Sequence, residues 1–368
     1  MALLPRFFIY EDAALDHSAL LECVPAWESH DQSAEVAMLR QLERLPTRTS
    51  SPADAALFVL PLFPYLSVLA ANCSGSTHLL RMEAAAASLH ASRWYRRRRG
   101  ADHLLVTNTF HLHALRPLRP LLLNATLAWF ESPTAPRRGP GKLAAASFWR
   151  CTLVVPYVPS PFCRQQRLAR PYRSCAPGRR RSSVFFQGSL NVTSIRLRLA
   201  SVAALPDARI VDVPRAAADP PGGVEACRRD DESSCAGKLE FARRMLCSDL
   251  CLVPKGDTPT SSRFYSAIAC GCVPLVISDD LKYHLPFARR VNYSFVQYIR
   301  ERDFMSDPAR AVGTAVSRLQ PRLPALRAAM REAAPDLLFD EDGSRVAENM
   351  LIEYSESCQP ARESHRSR

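Results

Sequence analysis

The residues best able to do chemistry in this chain of 368 residues lie between Thr258 and Arg263. Thr258, Thr260, Ser261 and Ser262 supply hydroxyls where a helix should begin, and Arg263 falls in its first turn. Side-chain oxygens at a helix start accept hydrogen bonds from N–H groups that have no partner within the helix. The N–H groups left over, together with the positive end of the helix dipole, favour an anion. A guanidinium beside them can fork two phosphate oxygens, so the chemistry indicated is phosphate or diphosphate binding. The same residues also describe an ordinary capped helix with a solvated arginine, the commoner arrangement after a strand. A second candidate runs from Gly188 to Arg196. Gly188 permits a tight turn with close ligand approach, Ser194 is placed to cap the next helix, and Arg196 lies in that helix's first turn. Its bland counterpart is a loop followed by a surface arginine.

Both candidates need strands to hold them. Leu250–Pro254 is a short apolar run closed by proline, as a buried strand would be, and Lys255-Gly256-Asp257 turns the chain. Phe264, Ala267, Ile268 and Gly271 recur at helical spacing, which gives the helix after Ser262 one apolar side. Val273–Ile277 is a second buried strand, and Ser278-Asp279-Asp280 opens the loop at its carboxyl end. Ser183–Gln187 is the strand that delivers Gly188. Nearer the amino end, Arg6–Glu11, a run within Asp54–Leu62, and Gly100–Thr107 read as strands, with helices at Glu35–Leu45 and Met82–Tyr95. The basic run Arg96–Arg99 reads as a solvated face, with a polyanionic acceptor chain as the minority reading. Strands alternating with helices argue an α/β chain, and open α/β sheets bind ligands at the carboxyl ends of their strands.

The length allows two domains, each with its own core. A composition 47% hydrophobic and 23% charged is globular, and a net charge of +12 suggests an anionic partner. Twelve cysteines with no CxxC pair and no zinc-finger spacing argue against a metal site. Together with four N-x-S/T sites, at Asn72, Asn124, Asn191 and Asn292, they lean towards an oxidising lumen. Cys251 and Cys272 sit in apolar strands and read as buried thiols rather than bridges. The uncharged run Ala55–Ala71 is interrupted by Pro61 and Pro64, so it reads as a core strand and turn rather than a membrane span. No interleaving of aromatic and basic residues supports a nucleic-acid partner.

The stretch from Leu246 to Phe287 resembles the carboxyl-terminal half of the exostosin-like glycosyltransferases of family 47. The shared parts are Cys251-Leu252-Val253-Pro254, Lys255-Gly256, Ser261-Ser262-Arg263, Ala267 through Gly271-Cys272-Val273-Pro274, Ser278-Asp279-Asp280 and Leu285-Pro286-Phe287. Further likenesses are the Ala-Leu-Phe-Val-Leu-Pro run at 56–61, Gly100-Ala101-Asp102-His103-Leu104-Leu105-Val106, Leu153–Pro159, and Phe186-Gln187-Gly188 followed by Ile195-Arg196. One departure follows Val106, where the family often has His-Asp and this chain has Asn108-Thr109-Phe110-His111. A second is Ser266, which stands where many members place Glu or Asp as a ribose partner.

The resemblance implies the GT-B fold: two facing Rossmann-like domains with an interdomain cleft. Residues 1–170 would form the acceptor domain, 171–182 a linker, 183–340 the nucleotide-sugar domain, and 341–368 a helix and polar tail. The Arg-rich helices of Asp307–Ala333 would cross back to brace the first domain. The activity implied is inverting transfer from a UDP-sugar to a glycan acceptor, with no metal and no cofactor. The alternative is a catalytically weak, glycan-binding partner subunit of a transferase complex. Gly188, Arg196, Lys255, Gly256, Ser261, Ser262, Arg263 and Ser266 would hold the nucleotide sugar, while Asp102, His103, Asp279 and Asp280 are the candidates for the base. The family faces the Golgi lumen from an amino-terminal anchor, so an anchor upstream of Met1 would make the protein membrane-associated.

Overall fold

The computed structural model describes residues 4–25, 27–30, 32–109, 112–132, 149–168, 182–213, 225–226 and 237–360. The chain divides into two compact units, one holding residues up to Pro156 and from Arg345 onward, the other Tyr157–Ser344.

In the first unit, β1 (Phe7–Ile9), β2 (Leu57–Leu60), β3 (His103–Val106), β4 (Thr126–Trp129) and β5 (Cys151–Val154) form one parallel sheet in that spatial order. These strands read as continuous apolar runs because helices cover parallel sheets. Helix α1 (Ala34–Leu42) follows β1, α2 (Pro64–Leu69) follows β2, and α3 (His78–Ala91) leads into α4 (Arg93–Arg98). The helix expected over Met82–Tyr95 is thus broken at Ser92, whose backbone is extended.

The second unit holds β6 (Ser182–Gly188), β7 (Ala208–Asp212), β8 (Glu225–Ala226), β9 (Ser248–Pro254), β10 (Val273–Ile277) and β11 (Gln297–Tyr298). Their spatial order is β8-β7-β6-β9-β10-β11, all parallel. That is the Rossmann order, which reverses direction between β6 and β9. Its helices are α5 (Pro161–Leu168), α6 (Ser194–Arg198), α7 (Lys238–Leu246), α8 (Ser262–Ala269), α9 (Glu301–Ser306), α10 (Pro308–Leu319) and α11 (Leu323–Leu337). Alternate residues Val184 and Phe186, Leu250 and Leu252, Val273 and Leu275 form one core with Val312, Leu319, Leu323 and Leu326 of α10 and α11. Burying each such side chain stabilises the sheet by roughly 1.5–3 kcal/mol relative to exposure.

The division after Pro156 falls ahead of the 171–182 segment, because α5 is tied to the end of α8 by the Cys163–Cys270 disulfide. Residues 171–181, 214–224, 227–236 and 361–368 lie outside the described residues. Helices α10 and α11, expected to brace the first domain, close the core of the second unit. The helix that returns to the first unit is α12 (Val346–Ser357), followed by the Cys151–Cys358 bridge to β5. Cys251 and Cys272 are bridged rather than free, with Cα atoms 5.7 Å apart. Apolar burial was the wrong discriminator, since neighbouring parallel strands bring two buried cysteines within bonding distance. A further bridge joins Cys23 and Cys73, and all nine described cysteines are disulfide-bonded.

Candidate functional site

The site forms at the reversal of the second sheet. Ser182 pairs with Ser248 and Phe185 with Cys251, so the same offset sets Gly188 level with Pro254. These are the carboxyl ends of adjacent strands, roughly 4.8 Å apart, and Pro254 is in turn paired with Ile277. The loops and helices after β6, β9 and β10 therefore start from one edge, and each delivers its sequence candidates to it.

Helix α8 begins at Ser261, whose hydroxyl accepts the Arg263 N–H. The Arg263 side chain then reaches across to β6. Its Nη2 and Nε donate to the Gln187 carbonyl at 2.8 and 3.3 Å, and its guanidinium lies 4.7 Å over the Phe186 ring. Cation–π contact and two bonds to one carbonyl hold the fork in a single orientation. Gly188 makes room for it: its φ is +153°, and a Cβ there would collide with Nη2 of Arg263.

Arg196 makes the reciprocal crossing. It sits in α6, after β6, and its Nε donates to the carbonyl of Lys255, after β9, at 3.3 Å. A Cβ on Gly256 would lie 3.0 Å from the Arg196 Nη2. The cap of α6 is Thr193, not Ser194, since Thr193 Oγ1 accepts the Arg196 N–H. Asn191, the sequon in this loop, is exposed. Beside Gly188, the Ser189 hydroxyl is buried without a hydrogen-bond partner among the described residues. Such an orphan costs about 1–3 kcal/mol unless a ligand or water satisfies it. Sequence reasoning passed over Ser189, although its place after the turn glycine was the available signal.

Lys255 and Asp279 are joined by Glu301, which sequence reasoning missed. The Lys255 ammonium is paired with the Glu301 carboxylate. The other Glu301 oxygen accepts the Asp279 N–H at 3.0 Å, and Asp279 Oδ1 accepts the Glu301 N–H at 3.1 Å. Nothing local in the sequence marks Glu301, because the contact spans 46 residues. Lys255 is therefore a half-neutralised contact rather than an open cation. Asp280 starts the short helix at Leu281–Tyr283, is half-buried, and makes no side-chain capping bond. Ser262 is half-buried in the first turn of α8.

Three expected site residues face elsewhere. Ser266 is buried, and its hydroxyl accepts the Ser160 N–H at 3.1 Å. It fastens the segment before α5 to α8 instead of meeting a ribose. Asp102 and His103 lie at the amino end of β3, the end opposite to where parallel sheets take ligands. Both are fully buried, and their polar atoms are spoken for. His103 Nδ1 is 3.0 Å from Asp102 Oδ1, Tyr10 Oη is 2.8 Å from Nε2, and Arg97 Nη2 is 2.9 Å from Asp102 Oδ2. Burial keeps the His103 imidazole below its usual range. Burial alone would raise the Asp102 carboxyl, but the His103 hydrogen bond and the Arg97 charge hold it low. An ionised Asp102, a neutral His103 and a Tyr10 hydroxyl form a closed chain with no position for an acceptor hydroxyl. Arg97 thus belongs to this core pair, not to the solvated basic run expected at Arg96–Arg99.

The carboxyl end of the first sheet carries its own buried polar set. Glu35 accepts the N–H groups of Tyr65 and Leu66, at the start of α2, and the Thr107 hydroxyl. Burial pushes its carboxyl up to about 8, against those three hydrogen bonds. The His17 Nδ1 accepts the Phe63 N–H at 3.2 Å, while its Nε2 and the Asn108 Oδ1 are buried with no partner among the described residues. Thr109 is also buried, whereas Phe110 and His111 lie outside the described residues. No group of three His, Cys, Asp or Glu able to hold a metal ion occurs among the described residues.

The family model for the exostosin GT47 domain matches residues 6–311. A probable beta-1,4-xylosyltransferase of Arabidopsis thaliana is 27% identical over 322 residues, covering 81% of this chain and 68% of the relative. A probable glucuronosyltransferase of Oryza sativa subsp. japonica is 26% identical over 324 residues, covering 81% and 68%. An exostosin-1 homolog of Caenorhabditis elegans is 33% identical over 97 residues, 26% of this chain and 24% of that protein.

Proposed function

The chain belongs to the exostosin GT47 family of glycosyltransferases, and on that footing we propose that it moves a sugar from a UDP-sugar to a glycan acceptor with inversion. The observation that carries this reading is the crossed pair of arginines. Arg263, from the helix after β9, lies on β6, and Arg196, from the helix after β6, lies on the turn after β9. Two guanidiniums held at a Rossmann switch point suit a diphosphate.

In the proposed reaction the acceptor oxygen attacks the anomeric carbon in line with the bond to the diphosphate. The new carbon–oxygen bond forms as the old one breaks, and its electron pair leaves with UDP. Arg196 and Arg263 would meet the charge that develops there, and a donor of that kind contributes roughly 3–4 kcal/mol. The acceptor's proton passes to a carboxylate; Asp280, at the same edge, takes this role in our reading. Guanidiniums supplying the positive charge give a transfer that needs no metal.

Ser266 favours one second reading. With its hydroxyl turned to Ser160, the ribose partner expected of the family is absent from that position. This suits a weak catalyst that supports a partner transferase. The nine bridged cysteines support an oxidising compartment in this reading, and the Golgi lumen fits the family. No described helix is long and apolar enough to cross a membrane.

The deciding experiment is UDP binding and UDP-sugar hydrolysis over a panel of donors, with Arg263→Ala as control. UDP affinity should be lost in that variant. Unchanged affinity would remove Arg263 from the site, and UDP binding without turnover of any donor would favour the partner-subunit reading.

A further inference from the structure

A groove of about 610 Å³ runs from the carboxyl end of β11 along α9 and α10, outside the nucleotide-sugar edge. We propose that it docks an anionic glycan chain bearing carboxylate or sulfate groups. Arg300, Arg310 and Arg318 line it, all exposed, and none has an ion-pair partner among the described residues. The two acids on its wall are already engaged. Asp303 pairs with Arg302, and Asp307 caps α10 by accepting the Arg310 N–H at 3.1 Å. Three arginines therefore line the groove against two aspartates that are both engaged, and the surplus positive charge faces the groove.

The shape selects among anions. Arg310 and Arg318 lie two turns apart on one face of α10, about 12 Å along its axis at 1.5 Å per residue. Between them the floor is Ala311, Thr314 and Ala315, small enough for a sugar ring to approach, with the Thr314 hydroxyl exposed. Tyr298, 38% exposed, stands at the head of the groove and offers a flat apolar ring with a polar tip. A sugar presents an apolar CH face to such a ring and its hydroxyls to the sides. Guanidiniums at intervals then fork carboxylates or sulfates spaced along a chain. Tyr298 is the one aromatic among the lining residues, so successive nucleic-acid bases find no stack. Arg300, on the groove, directly precedes Glu301, the residue that joins Lys255 to Asp279. This binding does not depend on the transferase reading.

The test is titration of the whole protein with four probes: an oligogalacturonate, a heparin-derived oligosaccharide, a neutral xylo-oligosaccharide and a single-stranded oligonucleotide. One or both charged glycans should bind, and the tighter identifies the anionic group. The Arg310→Ala/Arg318→Ala double variant, altered only at exposed helix positions, should bind it about tenfold more weakly. Tyr298→Ala should also weaken it, while UDP affinity stays at the wild-type value in both variants. Equal binding of the neutral glycan, undiminished binding in the double variant, or tighter binding of the oligonucleotide with a steep salt dependence would each overturn the assignment. Because UDP binding is read separately, failure here is distinguishable from failure of the transferase reading.

Discussion

Arg263 closes over Gly188. Its guanidinium donates to the Gln187 carbonyl at 2.8 Å and fills the space that a Cβ on Gly188 would take. An arginine from one β–α connection is thereby seated on the backbone of another, and the fit works only because residue 188 has no side chain.

That seat can be tested directly. Gly188→Ala forces Arg263 out and places alanine at a φ of +153°. It should cost about 1–3 kcal/mol of stability and also weaken UDP binding. Combining it with Arg263→Ala should recover part of the stability, because the collision is removed, but none of the affinity. A double-mutant cycle on chemical denaturation midpoints reads this coupling; strictly additive losses would mean the two residues act independently.

Arg263→Lys separates charge from geometry. Lysine keeps the positive charge but cannot donate twice to Gln187 or lie flat over Phe186. UDP affinity should fall roughly tenfold to a hundredfold, the worth of one charge-assisted contact of about 1.5–3 kcal/mol. Calorimetric titration with UDP would show whether lysine suffices.

Glu301→Gln frees Lys255 and weakens the hold on the 279–280 loop. Donor turnover should drop at least tenfold, while thermal stability moves by less than about 1–2 kcal/mol, as expected for a partly exposed pair. If Asp280 is the base, Asp280→Asn should lower turnover with UDP affinity retained. Steady-state kinetics beside UDP titration separates the two.

Acid should destabilise the fold through two buried histidines. Burial pulls His17 and His284 down to about 4 from an ordinary value of 6.5. The unfolded chain then binds more protons between those values, so stability is lost as pH falls from about 6.5 to 4. Glu35 works in the opposite sense. Its carboxyl is raised from 4.5 to about 8, so its contribution declines as pH climbs through that window. Urea midpoints measured against pH should slope accordingly, and His17→Gln should flatten the acid limb.

Replacing Cys151 and Cys358 together by serine should cost about 2–5 kcal/mol, since their bridge closes a loop of 207 residues. Release of α12 should appear as early hydrogen exchange in Val346–Ser357. Unchanged exchange would show that packing alone holds it.

Much of this molecule was set by the sequence itself. Apolar runs at Leu250–Pro254 and Val273–Ile277 specify buried strands because parallel strands are covered on both faces. Ser261 followed by Arg263 specifies a capped helix start, because a hydroxyl oxygen two bonds from Cα can reach a free N–H. These are short-range effects, and local residue order suffices for them. Strand order is different: Gly188 and Pro254 are 66 residues apart, and only sheet pairing sets them level. So are the crossing of Arg196 and Arg263, the Glu301 link and the Cys251–Cys272 bridge. Asp102 and His103 show the converse, since their residue types suggested a base while their place at the buried amino end of β3 made them core. Residue type announces what a side chain can do; packing between distant segments decides whether a substrate can meet it.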